Sequence, residues 1–210
     1  MTREELLDLF QRSGALLEGH FRLTSGLHSS GYLQCALVLQ HPAHAEALGR
    51  ALGELTRALR PTVVLSPALG GIVIGQEVGR ALGVRAIFAE RQDGALMLRR
   101  GFTLRETDRV LVVEDVLTTG GSTRETMQVA TASGAHVVGA AAIVDRSGGS
   151  GLGRVVSDPP GVGRVHSDPA SDVPFHALLS IDLPTYEPDK CPLCAQGLPV
   201  VKPGSRAVLA

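Results

Sequence analysis

Tryptophan is absent, tyrosine occurs twice and phenylalanine five times. The core must therefore be built from Val, Leu, Ile and Ala. Lysine is nearly missing too: of 20 basic residues only Lys190 and Lys202 are lysines, and the rest are arginines. No lysine amine is available for chemistry before position 190. No sign of charge dominates, and a net charge of −1 excludes a general nucleic-acid or membrane partner. No apolar run approaches the roughly 18 residues that cross a membrane. The three cysteines, Cys35, Cys191 and Cys194, are few and odd in number, which predicts a reducing, cytoplasmic setting. The first residues, MTREELLDLF, lack the basic and apolar regions of a signal peptide. They predict an amphipathic helix, with Thr2 and Glu5 at capping-box spacing.

What is present is regular. A chain of 210 residues suits a single domain, 1–210. Residues 42–60 carry apolar side chains at helical spacing, with Pro42 tolerated at the start. TVVLS (62–66) predicts a buried strand, 71–83 a helix ending at Gly83, and 84–89 a second strand. Further strands are predicted at 109–113, 136–145 and 175–181, with a helix over 123–135 closed by Gly134. Strand and helix alternate, and the strands are apolar throughout. That combination predicts an α/β fold: a parallel sheet with helices on both faces. Ligands in such sheets sit beyond the carboxyl ends of the strands. Those ends here are SPALGG, AERQDG, EDVLTTGG and DRSGG, all polar and rich in glycine.

Residues 147–174 are mostly Gly, Ser, Pro and Asp, and GRVVSDP (153–159) is echoed by GRVHSDP (163–169). This predicts an exposed loop or hairpin, with a substrate lid as the functional alternative. In the tail, CPLC (191–194) offers half a zinc site. His166 and His176 are candidate partners, and a tight turn with two packed thiols is the alternative.

The densest chemistry lies in VLVVEDVLTTGGST (110–123). Adjacent acids at a buried strand end need a positive or hydroxyl-rich partner. Successive strand residues face opposite ways, so only one of Glu114 and Asp115 need face a ligand directly. The glycines of TTGGST allow close backbone approach. Ser122 and Glu125 form an S-x-x-E pattern expected to cap the next helix. A helix start behind a Gly and hydroxyl loop is an anion site, and phosphate is the usual anion. Neither the G-K-[ST] phosphate loop nor the G-x-G-x-x-G dinucleotide pattern is present. The combination predicts phosphate beside a diol or beside Mg²⁺.

VLVVEDVLTTGGS closely resembles the 5-phosphoribosyl-1-diphosphate (PRPP) motif of type I phosphoribosyltransferases. The resemblance implies a five-stranded parallel core and a small hood from the chain's ends, about 1–40 and 150–210. It implies that Glu114 and Asp115 address the ribose hydroxyls, directly or through Mg²⁺-bound water. Val116 and Leu117 would belong to the PRPP site, and Thr118, Thr119, Gly120, Gly121 and Ser122 would grip the 5′-phosphate. SPALGGI (66–72) resembles the family's pyrophosphate loop, giving Ala68, Leu69 and Gly70 that role. GHFRLTSGLHSSGYL (19–33), AIVDRSGG (142–149) and the CPLC tail resemble segments of orotate phosphoribosyltransferases. By that resemblance Thr24, Ser25, Gly26, Thr118 and Arg146 would meet orotate. A planar arginine suits a carboxylate.

The chain departs from the family where a mobile loop carries lysines and a histidine. Here that loop reads ERQDGALMLRRGF (90–102), with Arg91, Arg99 and Arg100 as its cations. Arg91 is the best substitute by position, Arg99 and Arg100 are equally readable as a solvated hairpin edge, and Gly70 and Thr24 stand where some members have lysine. The resemblance implies orotate phosphoribosyl transfer in pyrimidine biosynthesis, Mg²⁺ carried by PRPP without a firm protein ligand, and a homodimer with the lid working in trans. A purine or other base transferase, or a non-catalytic PRPP sensor, are the alternatives.

Overall fold

The computed structural model describes residues 1–23, 25–148, 154–156, 165–167 and 173–203, the two three-residue pieces by their backbone. The order is α1 (Arg3–Arg12), β1 (Leu16–Arg22), β2 (His28–Leu33), α2 (Ala36–Leu39), α3 (Pro42–Thr56), β3 (Val63–Pro67), α4 (Gly70–Leu82) and β4 (Arg85–Gln92). It continues with β5 (Ala95–Leu98), β6 (Arg109–Leu117), α5 (Gly121–Ala132), β7 (His136–Asp145), β8 (Arg154–Val156), β9 (Val165–Ser167), β10 (Pro174–Ser180), β11 (Thr185–Tyr186) and α6 (Pro192–Ala195).

The large sheet runs β5-β4-β3-β6-β7-β10-β9-β8. Its middle five strands, β4, β3, β6, β7 and β10, are mutually parallel, as the apolar runs predict. Antiparallel β5 adds one edge and the antiparallel pair β9–β8 the other, so the sheet has eight strands, three more than the parallel core. The 42–60 helix stops at Thr56, because a 3₁₀ turn over 57–59 ends at Arg60 in the left-handed region.

Period-two alternation decides which core each side chain enters. Val64, Leu111 and Val113 join Leu48, Leu52, Ile74 and Val78 of α3 and α4 on one face. Val63, Leu65, Val110 and Val112 join Met127 and Ala130 of α5 on the other. Each such fully buried Val or Leu contributes roughly 1.5–3 kcal/mol relative to exposure. The result is a three-layer sandwich whose strand β6 carries the same alternation into Glu114 and Asp115.

A second sheet, β1-β2-β11, is antiparallel, and Val201 bridges to Phe21 at its side. Within the expected 150–210 contribution to a hood, β8, β9 and β10 pair in the large sheet; residues 185–186 and 201 reach the small one. The echoed segments do meet each other: Val155 lies opposite His166 across the β8–β9 pair. The rest of the echo, with the lid reading attached to it, lies outside the described residues.

Candidate active site

The parallel strands run second-first-third-fourth-fifth in chain order. The direction of winding therefore reverses between β3 and β6. That reversal opens a crevice at the strand ends, the place where doubly wound sheets bind ligands. The loops leaving β3 and β6 are SPALGG and EDVLTTGG, the two segments singled out from sequence. They are close enough that a Cβ built on Gly70 would lie 2.8 Å from both carboxylate oxygens of Asp115. Only glycine fits there without a shift. The 68–70 turn is tied down by the Ala68 N–H, which donates to the Ala89 carbonyl at 2.8 Å, and Leu69 stands exposed.

The two acids face opposite sides of β6. On the α5 side, the Thr123 hydroxyl donates to Glu114 Oε2 at 3.1 Å. Burial first, and neighbouring Asp115 second, push the Glu114 carboxyl up to about 7, against the pull of that hydroxyl. On the α4 side, Asp115 accepts the Val116 N–H at 2.9 Å, yet burial still raises it. Two carboxyls are thus held where charge is costly, as suits groups awaiting a cation or hydroxyl donors.

Residues 118–122 form the turn from β6 into α5. Gly120 has φ +75° and starts the helix at Gly121, two residues earlier than predicted. The expected Ser122–Glu125 capping box does not form. Gly120 is the N-cap, no side chain caps it, and Ser122 lies inside the helix. Glu125 is drawn away instead, accepting the Leu96 N–H at 2.8 Å and pairing with Arg91 at 2.7 Å. An uncapped first turn leaves its N–H groups pointing at the loop, where an anion can take them. A cavity of about 40 Å³ sits there, lined by Glu114, Thr118, Thr119, Gly121, Ser122 and neighbours, roughly three times what one water needs.

Arg146 follows β7, and its N–H donates to the Leu117 carbonyl at 2.8 Å, which sets it beside exposed Thr118. Its guanidinium is half-buried. Among the described residues its Nε is buried without a hydrogen-bond partner, and desolvation depresses its pKa. Ser25 and Gly26 lie in the β1–β2 turn, where Gly26 takes φ +88°; Thr24 lies outside the described residues.

The 90–102 segment is a hairpin. Asp93 and Gly94, both at positive φ, form the two-residue turn between β4 and β5, a D-G signal present in the sequence but not used. Arg91 is held by Glu125 and by the Gly94 carbonyl, and Arg100 pairs with Glu90 at 2.7 Å. Arg99 is exposed.

The tail departs from expectation as well. His176 lies in β10, and the side chain of His166 is outside the described residues. The histidines that meet the CPLC cysteines are His20 and His28 of the β1–β2 hairpin. Sequence reasoning missed them because some 165 residues separate them from the cysteines.

The sequence pattern of the phosphoribosyl transferase domain matches residues 36–154. An orotate phosphoribosyltransferase of Pelotomaculum thermopropionicum is 50% identical over 99% of this chain and 100% of its own. The crystal structure of orotate phosphoribosyltransferase from Aeropyrum pernix shares 25% identity at TM-score 0.64, covering 84% of this chain and 93% of that one. The Mycobacterium tuberculosis orotate phosphoribosyltransferase in complex with PRPP shares 25% identity at TM-score 0.61, covering 85% and 95%. With its crevice at the β3–β6 reversal and a relative this similar from end to end, the chain belongs to the orotate phosphoribosyltransferase family.

Proposed function

We propose that the chain transfers the 5-phosphoribosyl group of PRPP to N1 of orotate, giving orotidine 5′-monophosphate and pyrophosphate. The observation that carries this reading is the buried acid pair at the β6 end, flanked by an uncapped helix start on one side and the 68–70 turn on the other. In this reading residues 118–122 hold the 5′-phosphate, with the helix N–H groups as donors. Glu114 and Asp115 take the ribose hydroxyls, and the 68–70 turn receives the pyrophosphate. Mg²⁺ carried by PRPP would neutralise charge on the departing pyrophosphate, and Glu114 and Asp115, which face opposite sides of β6, would meet it through its bound water and not as a shared pair of ligands. Arg146 and Thr118 hold the orotate carboxylate and ring, a role suited to a half-buried guanidinium whose Nε has no partner among the described residues.

The reaction asks for positioning and charge stabilisation more than covalent chemistry by the protein. Cleavage at C1 builds positive charge on the ribose ring beside Glu114 and Asp115, and orotate N1 bonds to C1 as pyrophosphate leaves. The small sheet, with Ser25 and Gly26 at its tip, acts as the hood over the base. Arg91 contributes by exchanging Glu125 for pyrophosphate oxygens. The reading includes a homodimer in the cytoplasm.

The test is to mix the purified chain with Mg²⁺, PRPP and orotate and follow orotate loss by absorbance. Turnover with a purine or uracil in place of orotate sinks the base assignment. PRPP binding without base-dependent pyrophosphate release sinks the enzyme and favours a sensor.

A further inference from the structure

Outside the crevice, four metal-ligating side chains converge at one point. His20 and His28 come from β1 and β2, Cys191 and Cys194 from the two ends of one turn in the tail. Their ligand atoms all lie within 4.8 Å of one another. His20 Nε2 is 2.9 Å from His28 Nδ1, 3.5 Å from Cys191 Sγ and 3.7 Å from Cys194 Sγ, and Cys194 Sγ is 3.3 Å from His28 Nδ1. A tetrahedron with zinc–sulfur bonds of about 2.3 Å and zinc–nitrogen bonds of about 2.05 Å has edges of roughly 3.6 Å (S–N) and 3.3 Å (N–N). Four of the six edges fall within half an ångström of these, and the other two, both to Cys191, are no longer than 4.8 Å, so closing onto a metal needs side-chain motions of about an ångström.

The surroundings fit a ligand set. His20 Nδ1 lies 2.8 Å from the Leu198 carbonyl. A carbonyl only accepts, so Nδ1 carries the proton and Nε2 turns its lone pair to the cluster, the arrangement in which a backbone oxygen orients a metal-bound histidine. A β-bulge between Glu18 and Phe21 inserts one residue into β1, and the consecutive residues His20 and Phe21 are both buried. His28 and Cys191 are buried too, whereas Cys194 is exposed, which leaves an entry path. Two thiolates and two imidazoles in tetrahedral array select zinc over harder cations.

We propose that His20, His28, Cys191 and Cys194 form a structural zinc site that fastens the C-terminal tail to the β1–β2 hairpin. The ion adds a long-range crosslink to a small sheet whose own pairings are short, with β11 contributing two residues. The proposal stands on these four residues alone and is independent of the transferase reading.

The untagged chain, purified through metal-free buffers, is expected to carry about one zinc per chain by elemental analysis, the stoichiometry of a closed four-ligand site. C194S and H28A should lose it and C35S should keep it. Stripped protein reloaded with Co²⁺ should show the intense d–d absorption of a tetrahedral thiolate site. Chelation should lower the thermal midpoint of the parent and leave C194S unmoved. Folded parent chain without zinc and without a tetrahedral cobalt spectrum overturns the site, as does unchanged metal content in both C194S and H28A. Stoichiometric zinc whose removal leaves the midpoint in place overturns the fastening role. Because exposed Cys194 makes its serine variant mild and the cobalt spectrum is read on the parent, a misfolded variant does not decide the matter.

Discussion

At the residue scale, Glu114 carries a pH dependence with a definite sign. Its ordinary value is 4.5 and its folded value is about 7. Between those values the folded chain binds a proton that the unfolded chain has released. This group therefore lowers stability as pH rises from about 4.5 to about 7, with the full penalty present above that. E114Q should be stabilised relative to its parent at pH 8 and not at pH 4, by roughly 1–2 kcal/mol once partial solvation is allowed for; urea unfolding at the two pH values reads the difference. Binding moves the opposite way. The ionised carboxylate is the form that accepts ribose hydroxyls, and its fraction falls from about nine-tenths at pH 8 to about one-tenth at pH 6. PRPP affinity should weaken about tenfold over that interval in the parent and stay level in E114Q, measured by calorimetry. Arg146 gives a second residue-scale outcome. Removing a buried charged donor costs about 1.5–3 kcal/mol, so R146A should raise the orotate KM roughly 10–100-fold while PRPP binding stays within about twofold. Equal losses for both substrates would show that Arg146 supports the loop and not the base.

At the element scale, the contact between α3 and α4 depends on missing side chains. A Cβ on Gly49 would lie 2.4 Å from Glu77 Cβ and 2.8 Å from the Glu77 backbone carbon. G49A should cost about 1–3 kcal/mol through overpacking, read as a lower denaturant midpoint with an unchanged slope. The penalty should fall on stability and spare the KM values, because α3 lies away from the strand ends.

The same scale shows what the sequence made legible. The parallel strands were readable because β3, β6 and β7 carry continuous buried apolar runs, a pattern with few alternatives, and β4 and β10 keep short apolar stretches beside them. Their loops were readable as a site because glycine and polar residues clustered at the ends of the first four strands. The small sheet was not, since β1 and β2 mix polar and apolar residues, a bulge breaks their alternation, and the two residues of β11 are too short for any pattern. The start of α5 was misplaced because S-x-x-E is a local signal. Arg91 and Leu96 compete for Glu125 through contacts some 30 residues distant, which outbid the local cap. The histidine pair fails for the same reason, because spatial neighbours far apart in sequence leave no spacing to read.

At the scale of the whole molecule, the 90–102 hairpin sorts its arginines by partner. Arg91 is bound to Glu125 on the helix that opens its own chain's crevice, while exposed Arg99 has no ion pair among the described residues. If the proposed homodimer forms, Arg99 is the cation that would serve a second subunit. The chain should sediment at twice its 22.0 kDa mass. Dimers re-formed from equal parts D115N and R99A chains should regain about a quarter of parental activity, since half are mixed and each mixed dimer holds one intact site. Neither variant alone should show it, and a mixture that stays at the sum of its parts sinks service in trans.

The position of the β8–β9 pair has a consequence of its own. β9 is three strands from β6, about 14 Å at the usual spacing, and on the far side from the β3–β6 reversal. The described parts of the two echoed segments, 154–156 and 165–167, pair with each other here. Doubling a loop's length costs only about 0.6 kcal/mol in closure entropy. Residues added at this edge should therefore cost little stability and leave the crevice undisturbed. Grafted epitopes or reporter peptides belong at the same address.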